Sequence, residues 1–371
     1  MKFLTDLLTA SASFNDSNLF KFSELIGKYK NDFGEISNRL YERLNPSDQQ
    51  RFIAWFMKRW GKINTVDKAE WERYIAIVEQ SHVVHGHESL DGISYCLRRY
   101  DSAGYSFSLL GYDWFTGVHD VVFDQYATEV FDVRPGDVVI DGGAFIGDTA
   151  VLFDAKTSGD CEIHAFELLD ENITLMRRNL EMNGLSGKVV VNKTALGDKS
   201  GVDISIAATR LQASTSLMFP GAIVVPMIKL DDYVKEHQLS RVDFMKFDIE
   251  GAEIPALEGA RETIERFHPR LALCLYHKWD DVLTIPRFLD SLTVKYDFEF
   301  KWVHLKLGTE GVILLTPKAP ADICEVTPVV EMDELQPMLF NLLDAYHRKY
   351  SQAYALWEEK KLSDGQAHRD S

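Results

Sequence analysis

The chain has 371 residues, a net charge of −17 and a pI near 5.1, and 46% of its residues are hydrophobic. That length allows one catalytic domain of about 200 residues with additions, or two domains. The acidity argues against nucleic-acid binding, because neutralisation of phosphates needs clustered Lys and Arg.

The sequence shows no pattern typical of an exported or membrane-spanning protein. Its start, MKFLTDLLTASASFND, has a single basic residue and an acid inside its apolar patch, which indicates a helix or an unstructured start. No apolar run approaches the ~18 residues of a membrane span. Four scattered cysteines form no Cys-x-x-Cys pair, so zinc and redox motifs are unsupported. We therefore expect a reduced, cytoplasmic protein.

Residues 1–112 are predicted to form a mostly helical N-terminal extension. Their large apolar side chains recur at helical spacing and are interpreted as core, with a cap that selects the substrate as the alternative. The segment HVVHGHE, which contains His82, His85 and His87, is interpreted as a polar loop, although its histidines offer zinc ligands in principle. Aromatic residues then precede the next region, and we interpret them as packing or as part of an acceptor pocket: Tyr105, Phe107, Tyr112, Trp114 and Phe115.

From residue 113 to 320 the pattern changes to strands that alternate with helices. The parallel strands are predicted in VRPGDVVIDGG, CEIHAFE, KVVVN, VDFMKFDIEG and RLALCLYH, and the runs KYDFEFKWVHL and GTEGVILLTP close the sheet as an antiparallel pair. Residues 201–229 are predicted as a short β excursion. This order indicates a Rossmann-like, doubly wound α/β fold with a mostly parallel sheet. Residues 321–371 are predicted as a C-terminal helical segment and tail.

The glycine-rich run VVIDGGAFIGDT (138–149) predicts a ligand site between a strand and a helix. Its glycines, Gly142, Gly143 and Gly147, do not have the G-x-G-x-x-G spacing of a dinucleotide fold. They match the spacing of a P-loop, but Asp148 stands where the phosphate-binding lysine belongs and would repel phosphates. The run instead matches D-x-G-x-x-x-G, a pattern that holds S-adenosylmethionine.

S-Adenosylmethionine carries a sulfonium and an ammonium but no phosphate, so acids near the turn favour its binding. Asp141 and Asp148 are predicted to lie near the cationic amino-acid end. Glu167, at the end of the next strand, is predicted to accept hydrogen bonds from the ribose hydroxyls. Asp198, in ALGDKSG, is predicted to accept from the adenine amino group.

Four runs together resemble the FkbM family of methyltransferases over roughly residues 113–316: DGGAFIGDTAVLF, AFELLDENITLMRRNL, VNKTALGDKSG and VDFMKFDIEGAEIPALEGARETIERFHPRLALCLYH. The most specific part is KFDIEGAE followed by a strand that ends in YH. The resemblance implies a class I methyltransferase fold and O-methylation of hydroxyls on sugars or natural products. Phe145 replaces the middle glycine of the broader class I turn, a departure usual in this family.

The end of the fourth parallel strand carries the candidate catalytic residues. Lys246 and Asp248 share one strand face, and a lysine inside a central strand needs a partner, either Asp248 or Asp141 on the neighbouring strand. Asp248 or Glu250 is predicted to orient the acceptor hydroxyl or to take its proton.

His277, at the end of the fifth strand, is the alternative base because its ordinary pKa lies near neutrality. Asp248, Glu250 and His277 also offer ligands for a divalent metal, a less favoured alternative. Glu253, in the first turn of the next helix, is interpreted as a partner of the helix dipole.

We therefore predict an S-adenosylmethionine-dependent methyltransferase that uses a small-molecule or glycan acceptor and binds no nucleic acid, with a homo-oligomer left open. Two alternatives remain at this stage. A nicotinamide-dependent oxidoreductase shares the fold, although the missing dinucleotide motif counts against it. A protein that binds the cofactor without turnover is the other.

Overall fold

The computed structural model of the protein describes residues 1–64, 68–102, 104–208, 215–216, 223–303 and 308–319. These residues divide into two compact units, which lie within Met1–Thr65 and Val66–Ile323. The predicted helical segment over residues 321–371 lies outside the described residues. None of the described helices is long and apolar enough to cross a lipid bilayer.

The first unit is built from helices around an aromatic core. Phe3 has no exposed surface, and its ring centroid lies 5.0–5.9 Å from those of Phe33, Tyr41, Phe52 and Phe56. These contacts confirm that the aromatic residues at helical spacing form a core. The helices are α1 (Lys2–Ala10), α2 (Asp16–Lys28), α3 (Phe33–Arg39) and α4 (Pro46–Gly61), with 3₁₀ turns at Ser11–Ser13 and Tyr41–Arg43.

The second unit begins with α5 (Lys68–Ser81) and an antiparallel sheet of β1 (His82–Leu90), β2 (Ile93–Ser102) and β3 (Tyr105–Gly111). The prediction of helical and irregular structure up to residue 112 is therefore wrong for residues 82–111, and HVVHGHE lies in a strand rather than in a loop. Asp91 and Gly92 join β1 to β2 with φ values of 50° and 81°, as a type I′ hairpin requires. Asp-Gly between two strands is the sequence signal for this hairpin.

The remaining strands form two sheets, and most of them follow the predicted order. The strands are β4 (Asp137–Gly142), β5 (Cys161–Phe166), β6 (Val189–Asn192), β7 (Ala195–Leu196), β8 (Val202–Ala208), β9 (Thr215–Ser216), β10 (Ile223–Ile228), β11 (Phe244–Phe247), β12 (Arg270–Cys274), β13 (Tyr296–Trp302) and β14 (Gly311–Pro317). The predicted β excursion is confirmed as part of a four-stranded sheet, β7-β10-β8-β9.

The main sheet has seven strands in the order β6-β5-β4-β11-β12-β14-β13. Six of them run in the same direction, and β14 runs in the opposite direction. This order and direction confirm the predicted doubly wound α/β fold and are those of a class I methyltransferase. The central strands β4, β11 and β12 are buried along their whole length. A parallel sheet covered on both faces requires such continuous apolar runs, which explains why the sequence pattern located these strands.

Helices connect the strands and cover the main sheet. They are α6 (Asp148–Lys156), α7 (Asp170–Met182), α8 (Leu230–Glu236), α9 (Glu253–Glu258), α10 (Arg261–Phe267) and α11 (Asp281–Asp290). The helical segment after the fourth parallel strand is divided into α9 and α10 at Gly259. A Cβ atom at Gly259 would lie 1.9 Å from the carbonyl oxygen of Gly197, so the chain passes too close there for a side chain.

Candidate active site

The glycine turn between β4 and α6 lies directly against the loop that follows β11. Gly143 and Gly147 have φ values of 76° and 78°, a region that favours glycine. A Cβ atom on Gly143 would lie 1.8 Å from the carbonyl oxygen of Asp248, and one on Gly147 would lie 2.7 Å from Cγ of Met176. These two glycines are therefore required by close approach as well as by backbone conformation.

A buried ion pair joins this turn to β11. Asp141 and Lys246 are register partners on adjacent strands, and their side chains are 0% and 3% exposed. Nζ of Lys246 lies 3.1 Å from Oδ1 of Asp141 and donates to the carbonyl oxygens of Gly142 and Gly143 at 3.3 and 2.7 Å. Oδ2 of Asp141 accepts from the Thr149 hydroxyl at 2.6 Å. Of the two predicted partners of Lys246, Asp141 is thus the one in direct contact.

Lys246 acts on the turn as a fixed positive charge. Burial works against its charged form, but the carboxylates of Asp141 and Asp248 outweigh burial and raise the pKa of Lys246. A lysine held charged in this way cannot accept a proton from an acceptor. Its contacts make it a residue that positions the glycine turn.

Asp248, just beyond β11, is held ionised by hydroxyl donors and cations. Its Oδ2 accepts from the Tyr126 hydroxyl at 2.7 Å, and its Oδ1 accepts from the Tyr276 hydroxyl at 2.8 Å. Burial would raise the pKa of Asp248, but His277, Lys246 and these two hydroxyls together lower it. Sequence reasoning missed both tyrosines. Tyr276 stands beside His277 in the YH pair, whereas no pattern distinguishes Tyr126.

His277 lies among three carboxylates. Its Nδ1 lies 2.8 Å from Oε1 of Glu253, and its Nε2 lies 3.3 Å from Oδ1 of Asp248 and 3.6 Å from Oε2 of Glu250. Burial opposes protonation, but the carboxylates of Glu253, Asp248 and Glu250 outweigh it and raise the pKa of His277 to about 9. Oε1 of Glu253 also accepts from the Ile249 amide at 3.1 Å. Glu253 therefore contacts His277, a role that its interpretation as a helix-dipole residue missed.

The other predicted cofactor residues are only partly brought together. Glu167 follows β5, and its Oε1 accepts from the amides of Leu168 and Leu169 at 2.6 and 2.8 Å. Burial raises the pKa of Glu167, and burial with the nearby Asp120 raises that of Asp148. Asp198 is exposed and follows β7, which pairs with β10 in the four-stranded sheet.

The site falls within a stretch of the chain that matches a known protein family. The family described as "Methyltransferase FkbM domain" matches residues 141–300. The 31-O-demethyl-FK506 methyltransferase FkbM of Streptomyces tacrolimicus is 25% identical over 171 residues, which cover 37% of this chain and 65% of that protein, just under two thirds of its length. Residues 141–300 form an FkbM-family methyltransferase domain.

Solved structures that resemble the chain include the FkbM methyltransferase of Methylobacillus flagellatus, with 15% identity and a TM-score of 0.47 over 78% of this chain and 60% of that one. A fibrillarin of Aeropyrum pernix, described in complex with S-adenosyl-L-methionine, has 13% identity and a TM-score of 0.35 over 63% of this chain and 79% of that one.

All the predicted site residues lie inside the matched range, residues 141–300. Side chains from residues before this range also contact the site. Phe145 of the glycine turn has a φ of 44°, and its ring lies 5.8, 6.0 and 5.5 Å from those of Tyr112, Trp114 and Phe115. Tyr126, outside the matched range, reaches Asp248 from 122 positions away. The segment before β4 therefore completes the walls of the site.

The less favoured metal alternative at Asp248, Glu250 and His277 stays a prediction. Among the described residues, three ligating side chains whose atoms converge within 4.8 Å occur instead at His87, Cys96 and Asp113.

Proposed function

We propose that the FkbM domain transfers the methyl group of S-adenosylmethionine to a hydroxyl oxygen of a sugar or natural-product acceptor. The observation that best supports this proposal is the set of charged side chains at the glycine turn. Asp141 and Asp148 belong to the turn, and Glu167 follows the neighbouring strand β5. Lys246, the cation in contact with the turn, is already engaged by Asp141 and two carbonyls. Such a site disfavours a pyrophosphate and suits a sulfonium compound without phosphate.

Each part of the glycine turn has a role in this proposal. The close approach of Gly143 to the carbonyl oxygen of Asp248 packs the turn directly against the loop after β11 and so fixes its position. A carboxylate has about four acceptor sites, so Glu167 retains capacity for a ribose hydroxyl beyond its bonds with the Leu168 and Leu169 amides and with the Asn172 side chain. Asp141 and Asp148 are proposed to face the cationic amino-acid end of the ligand, whose charge favours the ionised form of Asp148 that burial and Asp120 oppose. The adenine contact of Asp198 stays a prediction.

Glu253 and His277 supply the proton acceptor. Oε1 of Glu253 lies 2.8 Å from Nδ1, which favours the tautomer with the proton on Nδ1 and leaves Nε2 directed at Asp248 and Glu250. A buried carboxylate that orients a histidine in this way is the arrangement of an acid–histidine base. We propose that the acceptor hydroxyl binds at Nε2, between these two carboxylates.

The proposed step balances as a displacement at carbon. The hydroxyl oxygen bonds to the methyl carbon, the carbon–sulfur bond breaks, and the sulfur leaves as a neutral thioether that needs no acid. Nε2 of His277 takes the hydroxyl proton as the bond forms. Alignment within the site supplies most of the rate, because the step requires little other chemistry from the protein.

Because the pKa of His277 is raised, we expect its imidazole to act as a base only when the bound cofactor lowers that pKa. The pKa of about 9 describes the protein without ligand, where three carboxylates favour the imidazolium. A sulfonium bound nearby is a like charge, which lowers the pKa of a histidine. We expect activity to rise with pH, and the pKa seen in kcat to lie below that seen in kcat/KM.

Calorimetry with the full chain tests the first part of the proposal. We expect S-adenosylhomocysteine and S-adenosylmethionine to bind, and Glu167→Gln to weaken both. Transfer of labelled methyl from S-adenosylmethionine to a panel of hydroxylated acceptors tests the second part. Binding of a pyrophosphate dinucleotide in place of these ligands would overturn the cofactor assignment, and methyl transfer to nitrogen or carbon acceptors alone would overturn the O-methyl assignment.

The name of the Streptomyces relative supports an oxygen acceptor, since 31-O-demethyl-FK506 lacks its methyl group on an oxygen. We further propose that residues 113–320 carry the reaction and that residues 1–112 and 321–371 select the acceptor. Exchange of residues 1–112 with those of a relative that uses a different acceptor tests this division.

A further inference from the structure

The hairpin of β1 and β2 brings together three ligating side chains from three places. His87 on β1 and Cys96 on β2 are direct cross-strand partners, so their side chains lie on the same face. Cys96 in turn pairs with Gly111 at the end of β3, and Asp113 follows two residues later. Nε2 of His87 lies 3.1 Å from Oδ1 of Asp113, and the ligand atoms of all three residues lie within 4.8 Å of one another.

A buried arginine holds the aspartate in place. Arg98 donates to the carbonyl oxygens of Tyr112 and Asp113 at 3.2 and 2.9 Å. These bonds fix the backbone of Asp113 against β2, two residues along the strand from Cys96. The convergence thus rests on strand register and on a buried clamp of the Asp113 backbone.

We propose that His87, Cys96 and Asp113 bind one Zn²⁺ ion, with water as the fourth ligand. Nitrogen, sulfur and carboxylate oxygen are the donors that zinc takes in tetrahedral sites, with bond lengths near 2.0–2.3 Å. Ligand atoms in such a tetrahedron lie roughly 3.3–3.8 Å apart. The 3.1 Å separation of His87 Nε2 from Asp113 Oδ1 is close to this range. Sγ of Cys96 lies within 4.8 Å of both atoms, so it needs a side-chain adjustment of at most about 1 Å.

Two of the three ligating side chains are exposed and one is buried, so a metal ion can enter the site from the solvent side. The side chains of His87 and Asp113 are 51% and 74% exposed, whereas Cys96 is 3% exposed. The exposed pair admits the ion and its water, and the thiol below them loses its proton on binding. The lack of a Cys-x-x-Cys pair argued against zinc, but ligands supplied by cross-strand register leave no such spacing.

The position of the site gives the metal a structural consequence. Asp113 stands between Tyr112 and Trp114, whose rings stack at 5.5 Å with an interplanar angle of 7°. Both rings also contact Phe145 of the glycine turn. A metal ion on Asp113 therefore ties this aromatic segment to the β1–β2 hairpin.

Cobalt and thiol alkylation test the proposal without any measurement of activity. The purified full chain is stripped with a chelator and titrated with Co²⁺. We expect one equivalent to bind with a thiolate-to-metal charge-transfer band, and Zn²⁺ to displace it. Zn²⁺ should also slow iodoacetamide alkylation of Cys96, followed by peptide mapping, while alkylation of the half-buried Cys161 stays unchanged as an internal control.

Variants separate this site from other weak binding. His87→Gln and Asp113→Asn change exposed side chains and should each lower Zn²⁺ affinity by more than about tenfold, since loss of outer-shell partners alone costs roughly 10–100-fold. His85→Gln, on the same strand but outside the cluster, is the matched control and should leave affinity unchanged. Binding without a thiolate band, alkylation of Cys96 at the same rate with and without Zn²⁺, or equal affinity in His87→Gln and His85→Gln would each overturn the proposal.

Discussion

The two halves of the candidate active site use buried charge in different ways. Beside the glycine turn, Asp141 and Lys246 neutralise each other, and the lysine also contacts two backbone carbonyls. At the end of β12, by contrast, His277 faces three carboxylates, so negative charge is in excess. In the first arrangement the carboxylates of Asp141 and Asp248 raise the pKa of Lys246, which keeps the lysine charged. The second titrates and responds to the charge of a ligand.

From this difference we infer that the two halves of the site have different roles. A neutralised pair in a low-dielectric interior holds the turn in one geometry, and loss of either partner leaves an unpaired buried charge. A cluster with excess negative charge attracts a cation or a proton. We therefore expect changes on the glycine-turn side to alter folding and cofactor affinity, and changes around His277 to alter turnover and its pH dependence.

The largest expected effect is on turnover, from His277→Gln. Loss of a general base costs typically 10²–10⁴-fold in rate, while affinity for S-adenosylhomocysteine should change little. Labelled methyl transfer and calorimetry measure the two quantities separately. The control is His268→Asn, because His268 is exposed and has a φ of 50°, a conformation that asparagine tolerates. Equal turnover in both variants would remove His277 from the reaction.

The next effect is on stability, from Lys246→Met. This change leaves Asp141 buried without its cation and should lower the free energy of unfolding by about 3–5 kcal/mol. Urea unfolding measures the loss. The matched control is Lys235→Met, because Lys235 forms an ion pair with Glu262 in which the two side chains are 59% and 70% exposed. Such a surface pair is worth about 0–1 kcal/mol. A similar loss in both variants would contradict the view of the Asp141–Lys246 pair as a framework.

Gly143→Ala tests whether the turn depends on close approach. Its Cβ atom would lie 1.8 Å from the Asp248 carbonyl oxygen, whereas a Cβ atom on Gly136, which has a similar positive φ, would meet no atom within 4 Å. Conformational strain of about 1–2 kcal/mol is common to Gly143→Ala and Gly136→Ala. We expect the first to lose a further ~1–3 kcal/mol from overpacking, together with cofactor affinity. Equal losses in thermal unfolding would show that φ alone requires glycine.

The smallest effect is a shift of the pH profile, from Glu250→Gln. Glu250 raises the pKa of His277, so the loss of its charge lowers that pKa, and the rising limb of kcat/KM should move to lower pH.

The contribution of His277 to folding stability shifts with pH in the same direction. It is fully present below the unfolded pKa of about 6.5 and is lost as pH rises through the folded pKa of about 9. In Glu250→Gln this loss should be complete at lower pH. A pH profile identical to that of the wild type would show that Glu250 does not act on His277.

Some of this organisation could be read from local patterns alone. The strands β4, β11 and β12 are short, fully buried and mostly apolar runs bounded by turns, because a sheet covered on both faces needs them. The run 138–149 indicated a turn for a phosphate-free ligand from the spacing of its glycines and the acid in the lysine position. The hairpin after α5 was predictable too, since Asp91-Gly92 is a strong type I′ signal, but the histidines around it suggested a loop.

What the sequence by itself determined is the set of elements and the types of chemistry at their ends, because hydrophobic periodicity and turn residues act over a few positions. What only the tertiary structure decided is which groups meet. Lys246 contacts Asp141 through strand register, Glu253 reaches His277 across 24 positions, and Tyr126 reaches Asp248 across 122. Such contacts depend on how distant segments pack. Packing also sets the burial and the neighbouring charges that give each of these side chains its pKa.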